Sequence, residues 1–351
     1  VKLVFDCRYT RLGRHDGISR YTAGVVEALS RLHPVTMLVS DERQLEMLPD
    51  LPWVLGSDPT SLREPWVAHQ VNKAHPDVVF SPMQTMGSLG RRYKLILTLH
   101  DLIYYNNPTP PRDLPWFIRL GWRLYHLAYW PQRLVLNRAD AVVTGTEAAK
   151  AQIQRERLTK RPITVVSSAV DPAERTRGPE REKTIVYMGS FMPYKNVESL
   201  AIALHELPGY RLRLLSRIGD RERAVLSSLA PDGAVEFLGG VTDEEYVAEL
   251  ERTTALVTAS FEEGFGIPVI EALAMGTPVA CSDIPVFREV AGDGAVYFDP
   301  RDPSDIARVV RSLEDDALWG RLSAAGPEQA AKYTWDRSAA RLLELALSLA
   351  P

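Results

Sequence analysis

Two glutamates, Glu263 and Glu271, bracket a glycine turn in the stretch FEEGFGIPVIEALAMGTPVACSD, which runs from Phe261 to Asp283. Proline suits the first turn of a helix and glycine does not favour helix, so a helix is expected to begin near Ile267 or Pro268. Along one continuous helix, eight residues would leave the two carboxylates about 80° apart. The Gly264-Phe265-Gly266 loop breaks that geometry, letting Glu263 project from the loop and Glu271 from the first turn. Between them the N–H groups of Phe265, Gly266 and Ile267 at the helix N-terminus form a ready anion site. Carboxylates set directly against a phosphate would repel it, whereas hydroxyls flanking the phosphate would donate to them. A diphosphate with hydroxyl-bearing groups at both ends is a nucleotide sugar, ribose on one side and hexose on the other. A surface loop with a solvated glutamate pair satisfies the same E-x7-E spacing.

Other side chains of suitable type stand at strand ends. Lys195 follows Gly189-Ser190-Phe191-Met192-Pro193-Tyr194, at the mouth of a strand–loop–helix turn where an ammonium would neutralise a diphosphate. Only eight of the 41 basic residues are lysines, which makes this position stand out among the arginines. Asn196 is expected to cap the helix that starts at Val197. His100 ends the apolar run LILTLH and turns with Asp101; a strand-end histidine without further signal is most often structural. Gly17, with Gly13 nearby, allows the first strand–helix loop a close approach to a diphosphate. No Asp-x-Asp motif stands at a strand end, so neither a metal nor another cofactor is expected.

These residues need elements to hold them. Short runs rich in Val, Ile and Leu alternate with amphipathic stretches: KLVFD, VTMLVS, DVVFS, LILTLH, AVVTG and ITVVS in the first half. TIVYMGS, RLRLLS, VEFLG, ALVTAS, PVACSD and VYFD follow in the second. Runs without polar alternation are expected of parallel strands covered on both faces, and the βαβα order predicts two doubly wound α/β domains. The polar stretch 171–183 is the linker candidate, dividing residues 1–172 from 173–334. The last stretch, 335–351, is expected to form a helix started by Thr334 or Asp336 that packs back on the first domain. Two such domains create a cleft into which the carboxyl ends of both sheets open. At 351 residues and a net charge of −4, the chain offers nucleic acid no global attraction. Cys7 and Cys281 sit far apart in apolar runs and suit buried thiols, not a disulfide framework. With neither a leader-like start nor an apolar run long enough to span a bilayer, the expected location is cytoplasmic. No G-x-G-x-x-G follows the first strand, which disfavours a nicotinamide dehydrogenase.

The stretch EEGFGIPVIEALAMGTPVACSD resembles the signature of retaining glycosyltransferases of family 4, which have the GT-B fold. GRHDGISRYT (13–22), LILTLHDLIYYNNP (95–108), DAVVTGTEAAKAQI and IVYMGSFMPYKNVESL (185–200) resemble the family's other motifs in order and spacing. The resemblance implies an N-terminal acceptor-binding domain and a C-terminal donor-binding domain. It places Lys195 on the β-phosphate, Glu271 on the ribose hydroxyls and Glu263 toward the donor sugar. Phe265, Gly266 and Ile267 would offer backbone N–H groups to sugar and phosphate, and His100 would lie beside the anomeric carbon. Ser190, Gly17 and Arg217 would line the donor site, and the backbone at Gly240 and Val241 would meet the base. The chain departs from the pattern in several places. Relatives supply an arginine from the donor loop, where Ser190 and Tyr194 stand here; Arg217 and Arg20 are the weak substitutes. They have a second glycine at the position of Ser19, and Asn-Gly-Val-Asp in place of the hinge-side VVSSAVDP.

By the same resemblance the expected reaction is retaining transfer of a hexose from a nucleoside diphosphate sugar to a glycan or lipid-linked hydroxyl. The leaving phosphate would help deprotonate the acceptor on the same face. GDP-mannose is the first donor, with UDP-glucose and dTDP-rhamnose as alternatives. A sugar-nucleotide epimerase or hydrolase, or a non-catalytic sugar-nucleotide-binding subunit, would carry the same donor motifs. The aromatic stretch 114–133, with Arg119, Arg123 and Arg133, fits a core helix or a surface that touches a membrane peripherally.

Overall fold

The computed structural model describes residues 1–13, 15–109, 116–171 and 177–350. Among the described residues, thirteen strands form two all-parallel sheets. The first contains β1 (Leu3–Asp6), β2 (Val35–Val39), β3 (Trp53–Leu55), β4 (Val78–Ser81), β5 (Lys94–Thr98), β6 (Ala141–Thr144) and β7 (Ile163–Val165), in the order β3-β2-β1-β4-β5-β6-β7. The second contains β8 (Thr184–Tyr187), β9 (Arg211–Leu214), β10 (Val235–Phe237), β11 (Ala255–Thr258), β12 (Val279–Ser282) and β13 (Ala295–Phe298), ordered β10-β9-β8-β11-β12-β13. Central strands such as β1, β4, β8 and β11 are buried along their whole length, as expected of sheets covered on both faces. The strand missing from the apolar runs is β3. It is a three-residue edge strand with Trp53 and Leu55 substantially exposed, so it carries no buried run to read.

The chain separates into two compact units, Val1–Ala169 with Thr334–Pro351, and Val170–Tyr333. The expected boundary after residue 172 falls outside the described residues. Thr334 starts the C-terminal helix Trp335–Leu349, its hydroxyl accepting from the Arg337 N–H. That helix crosses Gly17–Leu32 of the first unit at Gly24, where a Cβ would overlap the Trp335 indole. Ala339, Leu342 and Ala346 then join the core around Phe5, Val25 and Leu29. In the polar stretch 171–183, the described part is strapped to the second unit and is not a free tether. Arg177 donates to the carbonyls of Leu250 and Thr253, and Arg177 and Arg181 stack on Trp319 at 4.6 and 4.7 Å. Burial, reinforced by the charge of Arg181, pulls the Arg177 guanidinium down to about 10. Cys7 and Cys281 are buried free thiols in different units. Among the described residues no helix is long and apolar enough to cross a membrane.

Candidate functional site

In the second sheet, the chain steps from β8 outward to β9 and β10, then returns to place β11 on the other side of β8. The carboxyl ends of β8 and β11 therefore flank a topological switch point, where open α/β sheets bind ligands. Lys195 arrives there from β8, on the short helical turn Pro193–Lys195, and Glu263 arrives from β11. The Lys195 Nζ donates to Glu263 Oε1 at 2.5 Å, with the two side chains 16% and 11% exposed. Ser260 Oγ donates to the same oxygen at 2.9 Å, fixing the carboxylate's position. The Glu263 Oε2 atom takes no hydrogen bond among the described residues. A pair this enclosed differs from a surface ion pair, because removing one member leaves the other charge poorly solvated.

Backbone contacts stitch the two loops together. The Phe261 N–H donates to the Tyr194 carbonyl at 2.8 Å. Asn196 corrects the expectation that its side chain caps a helix. It adopts the left-handed conformation (φ 53°, ψ 40°) and makes no side-chain cap. Its amide instead donates to the carbonyls of Ala259 and Pro300 at 3.1 and 2.7 Å, tying the β8 loop to the ends of β11 and β13. Left-handed backbone suits asparagine; here the amide nitrogen serves tertiary carbonyls, while Oδ1 accepts from the Ser199 hydroxyl at 2.8 Å and from no backbone N–H of the helix.

The helix Ile267–Ala274 starts where Pro268 and the preceding glycines place it. Gly266 has φ 91°, and a Cβ there would lie 2.8 Å from the Phe287 ring, so both conformation and space require glycine. Among the described residues the N–H groups of Phe265, Gly266 and Ile267 donate to no acceptor. The Phe265 ring is buried edge-on against Tyr333 at 5.4 Å, so this residue offers the site its backbone alone. Glu271 lies one turn into the helix and is half-buried. On the other side of β8, the Gly189 N–H donates to Ser216 Oγ and the Gly240 N–H to the Leu215 carbonyl, each at 3.0 Å. Arg217 lies across Gly240, which leads to Val241 and the Thr242-capped helix Asp243–Arg252. Ser190 is exposed, and its carbonyl accepts from the Tyr187 hydroxyl at 2.6 Å.

His100 and Gly17 belong to the first unit. His100 follows β5, and its Nε2 lies 2.8 Å from the Pro82 carbonyl beyond β4. A carbonyl only accepts, so Nε2 carries the proton and Nδ1 presents a lone pair. Tyr21, on the helix that begins at Gly17, meets the imidazole edge-on at 5.4 Å. Gly17 itself is the first residue of that helix, and the left-handed freedom of the loop belongs to Gly13, at φ 76°. Arg14 lies outside the described residues. Asp101 orients the turn by accepting the Ile103 N–H at 3.0 Å.

Burial lowers the His100 pKa below its ordinary value near 6.5, while the Pro82 bond pulls the other way. The folded protein thus binds this proton more weakly than the unfolded chain. The resulting stability is complete above about pH 6.5 and is lost as pH falls through the lower folded value. Urea unfolding at several pH values should show that acid-side loss, and His100→Gln should flatten it. An unchanged slope in the variant would place the titration elsewhere.

Tyr21, Pro82 and Ser260 join the site without a sequence signal of their own. Tyr21 lies inside the GRHDGISRYT motif, and Ser260 stands three residues before Glu263. Pro82 left no signal, because it contributes only a carbonyl.

Residues 15–174 match the family described as Glycosyltransferase Family 4, and residues 173–332 match Glycosyl transferases group 1. The chain belongs to glycosyltransferase family 4. This family 4 chain is 35% identical over 160 residues to O-antigen chain mannosyltransferase B of Escherichia coli, covering 43% of this chain and 42% of that one. It spans about half the length of the curated relatives it matches first. Among solved structures it is similar to a sucrose-phosphate synthase from Thermosynechococcus elongatus, with TM-score 0.76, 16% identity and 99% of both chains covered. Anabaena HepE, solved in complex with UDP and glucose, gives TM-score 0.71 at 15% identity, again over 99% of both chains. At such identities the likeness is one of fold, and the fold is GT-B.

Proposed function

We propose that the chain transfers a hexose from a nucleoside diphosphate sugar to a hydroxyl of a glycan or lipid-linked acceptor, with retained anomeric configuration. The observation that carries this reading is the Lys195–Glu263 pair at the β8/β11 switch point, beside the N–H groups of Phe265, Gly266 and Ile267. Lys195 supplies positive charge where a diphosphate leaves, and the amides share the load, so the reaction proceeds without a metal. Glu263 keeps Oε2 for a sugar hydroxyl while Oε1 holds the lysine. Glu271 accepts from the ribose. The anomeric carbon–oxygen bond to the β-phosphate breaks as the acceptor oxygen attacks from the same face. The acceptor's proton passes to a leaving phosphate oxygen. His100, neutral with Nδ1 as an acceptor, contacts the sugar and does not serve as the base.

Mannose from GDP-mannose is the favoured donor. The printed names of the curated relatives support it, among them O-antigen chain mannosyltransferase B, RfbU of Salmonella typhimurium and WbdA of Escherichia coli. The UDP and glucose bound by HepE support a nucleotide sugar in general terms. A lipid-borne acceptor would bring the enzyme to a membrane surface.

Calorimetry on two variants tests the division of labour between the glutamates. Glu271→Ala should weaken GDP and GDP-mannose alike, by about tenfold, the scale of one charge-assisted hydrogen bond. Glu263→Gln, which keeps an acceptor for Lys195, should weaken the intact donor more than the free nucleotide. The reverse pattern would overturn both assignments.

A further inference from the structure

Two helices of the first unit, Trp116–His126 and Trp130–Arg138, follow the turn that carries His100. Described residues on the inner side of Trp116–His126 pack on the aromatic rings of the turn after His100. Trp122 meets Tyr104 at 5.1 Å, and His126 meets Tyr105 at 5.0 Å. The opposite side should then be polar, as on an ordinary surface helix. It is not. Trp116, Leu120, Leu124 and Leu127 recur every three or four residues and are 76%, 51%, 59% and 75% exposed. Trp130 and Leu134 of the next helix are 66% and 50% exposed. Single exposed apolar residues need no explanation, but a stripe along one helix followed by further exposed apolar residues on the next does.

The charge on this segment has one sign. Residues 116–138 contain four arginines, at 119, 123, 133 and 138, and no aspartate or glutamate, in a chain whose net charge is −4. Helical geometry puts Arg119 and Arg123 along one flank of the apolar stripe. Arg133 is held against the carbonyls of Glu156 and Arg157. Tryptophans and leucines on one face, flanked by arginines without acids, are the composition of a helix lying in a membrane interface. Two copies pressed together through this face would bring arginine against arginine with no acid between them.

We propose that the exposed face of residues 116–134 seats on an anionic phospholipid surface, with the apolar stripe in the headgroup–acyl boundary and the arginines on lipid phosphates. The aromatic packing of Trp122 and His126 on Tyr104 and Tyr105 fixes that seat to the turn after His100. On the transferase reading, the same surface would supply a lipid-linked acceptor to the first unit; the seating itself does not depend on that reading.

The test uses the whole chain, without donor or acceptor, and vesicles of phosphatidylcholine alone or mixed with phosphatidylglycerol. The protein should sediment with the anionic vesicles, release with salt, and bind the neutral ones far more weakly. Arg119→Glu with Arg123→Glu should weaken binding by about 30-fold or more, at about fivefold per basic side chain. Leu120→Glu with Leu124→Glu should abolish it while circular dichroism stays unchanged. Brominated acyl chains should quench tryptophan fluorescence, and Trp116→Phe with Trp130→Phe should remove most of the quenching. That last pair keeps the test decisive if the leucine variant misfolds. Absence of binding to anionic vesicles, binding that survives the arginine changes, or quenching that survives the tryptophan changes would overturn the proposal. So would a wild-type dimer that the leucine pair dissociates while lipid is ignored.

Discussion

Lys195→Ala should lower turnover by about 100-fold or more, the scale on which enzymes lose rate when one preorganised charge at a developing anion is removed. The lysine is already aimed before any donor arrives, because Glu263 and Ser260 hold it at the switch point of the second sheet. A preorganised cation does not have to reorient as the diphosphate departs, and its enclosure keeps water from screening it. The substitution should also weaken free GDP, since it leaves the Glu263 carboxylate unpaired beside the phosphates. Adding Glu263→Gln to Lys195→Ala should restore part of the nucleotide affinity without restoring turnover. Steady-state kinetics and calorimetry on the two variants separate these effects. Near-normal turnover in Lys195→Ala would assign the leaving-group charge to another cation, with Arg217 and Arg20 next in line.

His100→Ala is expected to divide binding from chemistry. The proposed nucleotide contacts, Lys195, Glu271 and the amides of 265–267, all belong to the second unit, whereas His100 belongs to the first. Affinity for free GDP should therefore stay within a few-fold of wild type. Transfer should fall by about 100-fold or more, as when a positioned transition-state contact is lost. The side chain suits a positioning contact because the Pro82 bond sets its tautomer and Tyr21 sets its plane. His100→Gln, which can still reach the Pro82 carbonyl, should retain more transfer than alanine. Transfer that survives His100→Ala unchanged would remove this residue from the reaction.

Much of this site was legible as sequence because local rules govern it. The helix start at Ile267 follows from Gly266 and Pro268, and strands such as β8 and β11 are short apolar runs buried throughout. The partnership of Lys195 with Glu263 was not legible. It joins residues far apart in the chain and exists only because β11 returns to the flank of β8. Asn196 misled for a related reason: its position before a helix suggested a cap, while tertiary carbonyls claimed its amide. Ser19 bonds His15 Nδ1 at 2.6 Å and accepts the Arg11 N–H at 3.2 Å, so it ties down the loop ahead of Gly17. A buried ion network lies at the end of β1. The buried Arg8 is bonded to Asp6 at 2.8 Å and to Glu64 at 2.6 Å, a network whose third member no local pattern points to. Losing one partner of such a network costs about 3–5 kcal/mol, which marks it as structural support for the loop it ends in.

Acceptor-dependent transfer of a hexose with retention can be followed directly by proton NMR of the reaction. The whole chain would be incubated with GDP-mannose, with and without mannose-terminated glycans and their lipid-linked forms, while the anomeric signals are followed. The donor's α-anomeric resonance should disappear only when an acceptor is present, replaced in equal amount by an α-mannosidic resonance and GDP. Donor consumption at the same rate without acceptor, to free mannose or an epimerised sugar nucleotide, would contradict it, as would nucleotide binding with no turnover on any acceptor.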